Sequence, residues 1–165
     1  VLAKVQAYNV KGWSVLSAAS TTYATLETEP TGAPATPTTS SKSETQIVVD
    51  WTNLAAGDTG GSTILSYHLE YDDGTTGTTW TSLVGYTPLL LSNQYTLTGV
   101  TAGTTYMFRV QAKNIHGWGP TSTELSVKAS DAPDYMVALT VEDDFTTGSI
   151  KISWTPPHDG SDTIT

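Results

Sequence analysis

Tyr106-Met107-Phe108-Arg109-Val110-Gln111-Ala112-Lys113-Asn114-Ile115-His116-Gly117-Trp118-Gly119-Pro120-Thr121-Ser122 is the stretch that decides the fold of this chain. Its first half alternates. Tyr106, Phe108, Val110 and Ala112 fall on one side, and Met107, Arg109, Gln111 and Lys113 on the other. A period of two is the signature of a strand with one buried face. Asn114, Gly117, Gly119 and Pro120 then interrupt it with turn chemistry. Leu125 and Val127 resume the alternation, so the whole reads as a hairpin.

The same text stands near the start of the chain. Val5-Gln6-Ala7-Tyr8-Asn9-Val10-Lys11-Gly12-Trp13 matches Val110 to Trp118 residue for residue in pattern. Ile150, Ile152 and Trp154 likewise echo Ile47, Val49 and Trp51, and Gly160 to Ile164 echoes Gly60 to Ile64. Ala132-Pro133 reads as an echo of Ala33-Pro34. Self-similarity at the spacing of one small domain marks a tandem array. Residues 1–28 then hold the last two strands of one unit, with Ala3, Val5 and Ala7 on a shared face and a return strand at 18–26. Residues 29–32 are a linker, 33–130 a complete unit, and 131–165 the first strands of a third. Two strands are not stable alone, so the sequence reads as a window on a longer array.

Within 33–130 the strand signals are short and regularly punctuated. They fall at 38–43, 46–51, 64–71, 79–83 around Trp80, 95–97, the Tyr106 strand and 125–127. Nothing has helical periodicity. Seven short strands of this kind predict an all-β sandwich.

Composition narrows the function classes. The 165 residues carry a net charge of −9 and no cysteine. A polyanionic nucleic acid would repel such a chain, and disulfides and thiolate metal sites are excluded. No apolar run reaches the roughly 20 residues that span a bilayer, so no membrane insertion is expected. Threonine occupies about 31 positions and serine about 16. That suits strands and soluble loops, or a surface bearing O-linked glycans.

The residues that name a family are Trp51 on the second strand, Gly60-Gly61-Ser62 before Ile64 and Tyr67, and Leu97-Thr98-Gly99-Val100-Thr101-Ala102-Gly103-Thr104-Thr105-Tyr106. Val110, Ala112, Asn114, Gly117 and Ser122 complete the set. In these the chain resembles tandem seven-stranded fibronectin type III β-sandwiches, one complete and two partial. The resemblance implies that Tyr106 is the tyrosine corner, two residues before the core position Phe108. It also implies a structural core of Trp51, Tyr67, Tyr71, Leu97, Tyr106, Phe108, Val110 and, in the third unit, Trp154. Val1 departs from the pattern, standing where the first unit would place its corner tyrosine. Some members bind integrins through Arg-Gly-Asp, which is absent here.

The remaining polar residues form no catalytic or ligand-binding pattern. His68, His116 and His158 lack metal-ligand spacing and read as solvent-exposed. Asp58, Asp72 and Asp73 flank glycines and read as turn residues. Glu27 and Glu29 read as a solvated acidic junction rather than a calcium clamp. No catalytic residue, metal or cofactor is expected, and the chain is not expected to be an enzyme. Trp13 and Trp118, each after a glycine in a hairpin loop, pack on their own hairpin or project outward as contacts flanked by Ile115 and His116. These readings predict a structural repeat segment of a long extracellular or cell-surface filament, whose partners are copies of itself or neighbouring repeats. The alternatives are an adhesion or receptor interaction module and the spacer array of a secreted carbohydrate-active enzyme.

Overall fold

The computed structural model describes residues 1–23 and 25–165; Ala24, inside the strand expected at 18–26, lies outside the described residues. The strands run β1 Tyr8–Asn9, β2 Gly12–Trp13, β3 Thr38–Lys42, β4 Gln46–Asp50, β5 Ser66–Tyr71, β6 Thr81–Val84, β7 Gln94–Thr98, β8 Thr105–Asn114, β9 Gly117–Thr121, β10 Leu125–Lys128, β11 Thr140–Asp144 and β12 Ser149–Ser153. The complete unit is β3 to β10. One antiparallel sheet has the order β3-β4-β7; the other has the order β10-β8-β5-β6, with β9 also on β8. The all-β sandwich is as the alternation predicts, with strand ends shifted by one or two residues.

The core lies between the two sheets. Along β8 Tyr106, Phe108, Val110, Ala112 and Asn114 are buried, and the residues between them are not. Trp51, Tyr67, Leu97, Tyr106, Phe108 and Val110 are all buried, and Tyr71 packs half-buried against them. Full burial of a side chain such as Phe108 or Leu69 stabilises by about 1.5–3 kcal/mol. The corner is closed as the resemblance implies: the Tyr106 hydroxyl accepts from Thr101 N at 2.8 Å. A second tyrosine does the same across the core, where the Tyr67 hydroxyl accepts from Leu54 N at 2.7 Å.

The last strand of the unit is split. Gln111 pairs with Thr121 in β9, but Phe108 pairs with Leu125 in β10, so an extra residue must be absorbed between them. Ser122 absorbs it. Its N–H donates to Val110 O at 2.8 Å, and its hydroxyl accepts from Val110 N at 3.0 Å. The hydroxyl stands in for the carbonyl that the bulge displaces.

Residues 1–23 depart from the expected two long strands for the same reason, taken three times. Ser14, Ser17 and Ser20 donate from N–H to Ala7, Val5 and Ala3 carbonyls at 2.7, 2.9 and 2.9 Å. Their hydroxyls accept from the N–H groups of the same residues at 3.0, 3.0 and 3.2 Å. Two residues on one side meet three on the other at every step. The chain therefore hydrogen-bonds along its length without a regular ladder, and only β1 and β2 pair conventionally.

Trp154 corrects the sequence reading. It is 57% exposed, not core. Trp51 is covered by the β5–β8 sheet, whereas among the described residues no such sheet faces the β11–β12 hairpin, so Ile150, Ile152 and Trp154 share an uncovered face.

Candidate functional site

The β8–β9 hairpin tip, where the sequence placed its candidate contacts, holds the segment that leads into the complete unit. Asn114 is fully buried and uses all its capacity. Its Nδ2 donates to Thr28 O at 2.6 Å and Thr59 O at 2.9 Å. Its Oδ1 accepts from His116 N at 2.8 Å and Gly117 N at 3.3 Å, shaping the turn. Thr28 N also donates to Gly60 O, and Thr31 N to Asp58 O, each at 2.8 Å. Pro30 is fully buried, packed where any side chain at Gly119 would collide with it. At Gly60, with φ +69°, a Cβ would strike the Thr28 and Glu29 carbonyls, so glycine is required. The expected linker at 29–32 is thus docked on the unit it precedes. His116 adds an exposed contact from Nε2 to Glu27 Oε2 at 3.2 Å.

The next junction repeats the two backbone bonds, with Pro133 exposed where Pro30 is buried. Asp131 N donates to Gly160 O at 2.9 Å and Asp134 N to His158 O at 3.0 Å. Pro133 therefore takes the place of Pro30, not of Pro34 as the dipeptide echo suggested. This junction also carries charged side chains. Lys128 Nζ lies 2.8 Å from Asp162 Oδ1, and Ser161 Oγ donates to Glu44 Oε1 at 2.6 Å. The hydrogen bonds from Lys128 and Ser130 hold the exposed Asp162 carboxyl below the usual carboxylate range.

The outer face of the β10-β8-β5-β6 sheet is a row of aromatic and cationic side chains. Arg109 lies 3.9 Å over the Trp80 ring and pairs with Glu70 at 2.8 Å. Lys113 lies 5.3 Å over Trp118, which stacks on Tyr86 at 5.7 Å and meets His68 at 5.6 Å. Such contacts stabilise by about 0.5–1 kcal/mol each at exposed sites. Trp118 is therefore a half-buried partner of its own sheet. In the first hairpin Trp13 is 66% exposed and tilts on Tyr8 at 4.9 Å, Tyr8 taking the place of Lys113. Ile115 projects from the tip, 74% exposed.

His68 corrects the reading of the histidines as exposed: it is buried under this row. Gln111 Nε2 donates to its Nδ1 at 3.0 Å, so Nε2 carries the hydrogen and donates to Ser82 Oγ at 2.9 Å. That is a neutral imidazole. Burial holds its pKa below the usual histidine value, Glu70 opposing and Arg109 adding to the effect. The unfolded chain then binds a proton that the native chain refuses between about pH 6.5 and the lower folded value. Stability falls as pH drops through that window and is flat above it. Urea midpoints at about pH 7.5 and about pH 5.5 test this: His68→Gln is expected to lose less stability on acidification than the natural chain. An identical loss in both would show that the proton is bound elsewhere.

The structure thus brings His116 and the hairpin tip to a junction, lays Trp118 on the outer face of its own sheet, and leaves Trp13 and Ile115 exposed. The docking role of Asn114 was not singled out in sequence; its recurrence at Asn9 before the same Gly-Trp was the available signal. Among the described residues no helix is long and apolar enough to cross a membrane.

The sequence profile of the Fibronectin type III domain matches residues 32–128. Among solved structures, domains A168-A170 from titin are 26% identical with a TM-score of 0.53, covering 62% of this chain and 33% of that one. The chicken CNTN1 FN1-FN3 domains are 20% identical with a TM-score of 0.52, covering 92% of this chain and 52% of that one, a likeness of fold. The profile match, the two-sheet order and the closed Tyr106 corner agree: this chain belongs to the fibronectin type III family.

Proposed function

We propose that this chain is a structural repeat segment of a long filament protein, extracellular or on a cell surface, whose partners are neighbouring repeats and copies of itself. The observation that supports this reading is the docked junction. A segment that reads in sequence as a linker is held by Asn114, Gly60 and Asp58, and the two backbone bonds to Gly60 and Asp58 have counterparts at Asp131 and Asp134. Repeating a fixed junction restricts bending at every step, which suits a load-bearing array more than a string of independent binding modules. The threonine-rich surface supports O-linked sugars on such a filament.

Electron microscopy of the native material tests the reading. Continuous filaments with a regular axial repeat are the expected result. Separate, freely bending strings of beads would overturn it and favour adhesion.

A further inference from the structure

One flank of the sandwich is built differently from the rest. From Gly74 to Phe108 the sequence holds no Asp, Glu, Lys, Arg or His, in a chain of net charge −9. That run includes β6 and β7, which are the outermost strands of the two sheets, and residues 85–93, which cross from one to the other. The loop exposes Tyr86, Leu89 and Leu91. The opposite flank is closed by Thr36 against Thr123 and by Lys42 Nζ on Ser130 Oγ at 2.9 Å.

The edge of β7 is open. Trp51 N donates to Asn93 O at 2.9 Å and Gly99 N to Thr45 O at 3.0 Å. Alternation along an antiparallel ladder then turns the N–H and C=O groups of Gln94, Thr96 and Thr98 away from β4. Ser92 Oγ occupies those of Gln94. Thr96 and Thr98 are exposed. Edge strands are ordinarily guarded by charge, proline or a bulge. β3 has a bulge and a lysine; β7 pairs with β4 in unbroken register and carries neither charge nor proline.

We propose that the β7 edge is a contact between two copies of this chain, paired antiparallel about a two-fold axis at Thr96. Thr96 faces the copy's Thr96 and exchanges backbone bonds with it, and Gln94, whose N–H and C=O stay on Ser92 Oγ, meets the copy's Thr98 through its side chain alone, so the surface is complementary to itself. A second copy is the occupant favoured by charge. Two chains of −9 repel over most of their surfaces, and this uncharged flank is where they approach without like charges meeting. Asp50 on the neighbouring strand is drawn to Gln94 Nε2 at 2.6 Å. The contact goes beyond the filament reading and fails separately, since a soluble two-fold pair bears it out whether or not filaments form.

Sedimentation equilibrium on the whole chain is the test. Thr96 points to solvent, so Thr96→Lys leaves the fold intact and sets two ammonium groups across the axis. Association is expected to weaken by roughly tenfold or more, about 1.4 kcal/mol for each factor of ten. Ser126→Lys, on the edge of the opposite flank, is expected to associate like the natural chain. Mixing Thr96→Lys with Thr96→Glu is expected to restore a pair that neither forms alone. A natural chain that stays monomeric, or a pair that survives Thr96→Lys unchanged, would overturn the proposal.

Discussion

Replacing Asp72 with alanine is expected to cost about 3–5 kcal/mol, because three part-buried backbone donors would lose their acceptor at once. Asp72 is fully buried at the end of β5. Its Oδ1 accepts from Met107 N at 2.8 Å and Gly74 N at 3.1 Å, and its Oδ2 from Gly77 N at 2.9 Å. One carboxylate therefore ties the turn after β5 to the start of β8. A donor stranded without a partner costs about 1–3 kcal/mol. In a domain of this size that is a fall in Tm of about 15 °C or more. Asp72→Asn retains one acceptor and is expected to lie between. A calorimetric Tm for Asp72→Ala within a few degrees of the natural chain would show that the loop, not the carboxylate, sets this turn.

Trp51→Ala is expected to be comparable, about 3–5 kcal/mol, as for other large core truncations. The more informative variant is Trp51→Phe. The indole Nε1 is buried and has no hydrogen-bond partner. Phenylalanine removes that orphan donor, whose burial costs about 1–3 kcal/mol, while keeping most of the apolar volume. The loss for Trp51→Phe is therefore expected to be well under half that for Trp51→Ala, read from urea midpoints at constant slope. Equal losses in the two variants would place the contribution of Trp51 in the shape of its indole.

The sheet assignment was legible because one face of each strand must be dry. A period of two in Tyr106 to Ala112 sets that face, and Phe108 and Val110 followed from it, while Trp51 came from the alternation of its own strand and the family resemblance. Three features were not legible, each for a physical reason. His68 alternates with Tyr67 and Leu69 and so faces away from the core, but Trp118 and Tyr86 cover that outer face, and periodicity says nothing about what lies on top of a sheet. Residues 29–32 read as a linker because local chemistry cannot report a docking partner at Asn114, more than eighty residues away. Trp154 follows its pattern faithfully, yet burial depends on a second sheet, which two strands do not supply.

The docked lead-in has a consequence for tension. A pull along the chain reaches Thr28 to Gly32 before it reaches the sheets, and loads the Thr28–Gly60, Thr31–Asp58 and Asn114–Thr28 bonds first. Their rupture would pay out a contour of at most about 17 Å per junction with the sandwich still folded, and relaxation would reel it back. Each unit thus carries its own short length of recoverable slack, positioned to give way before the core does.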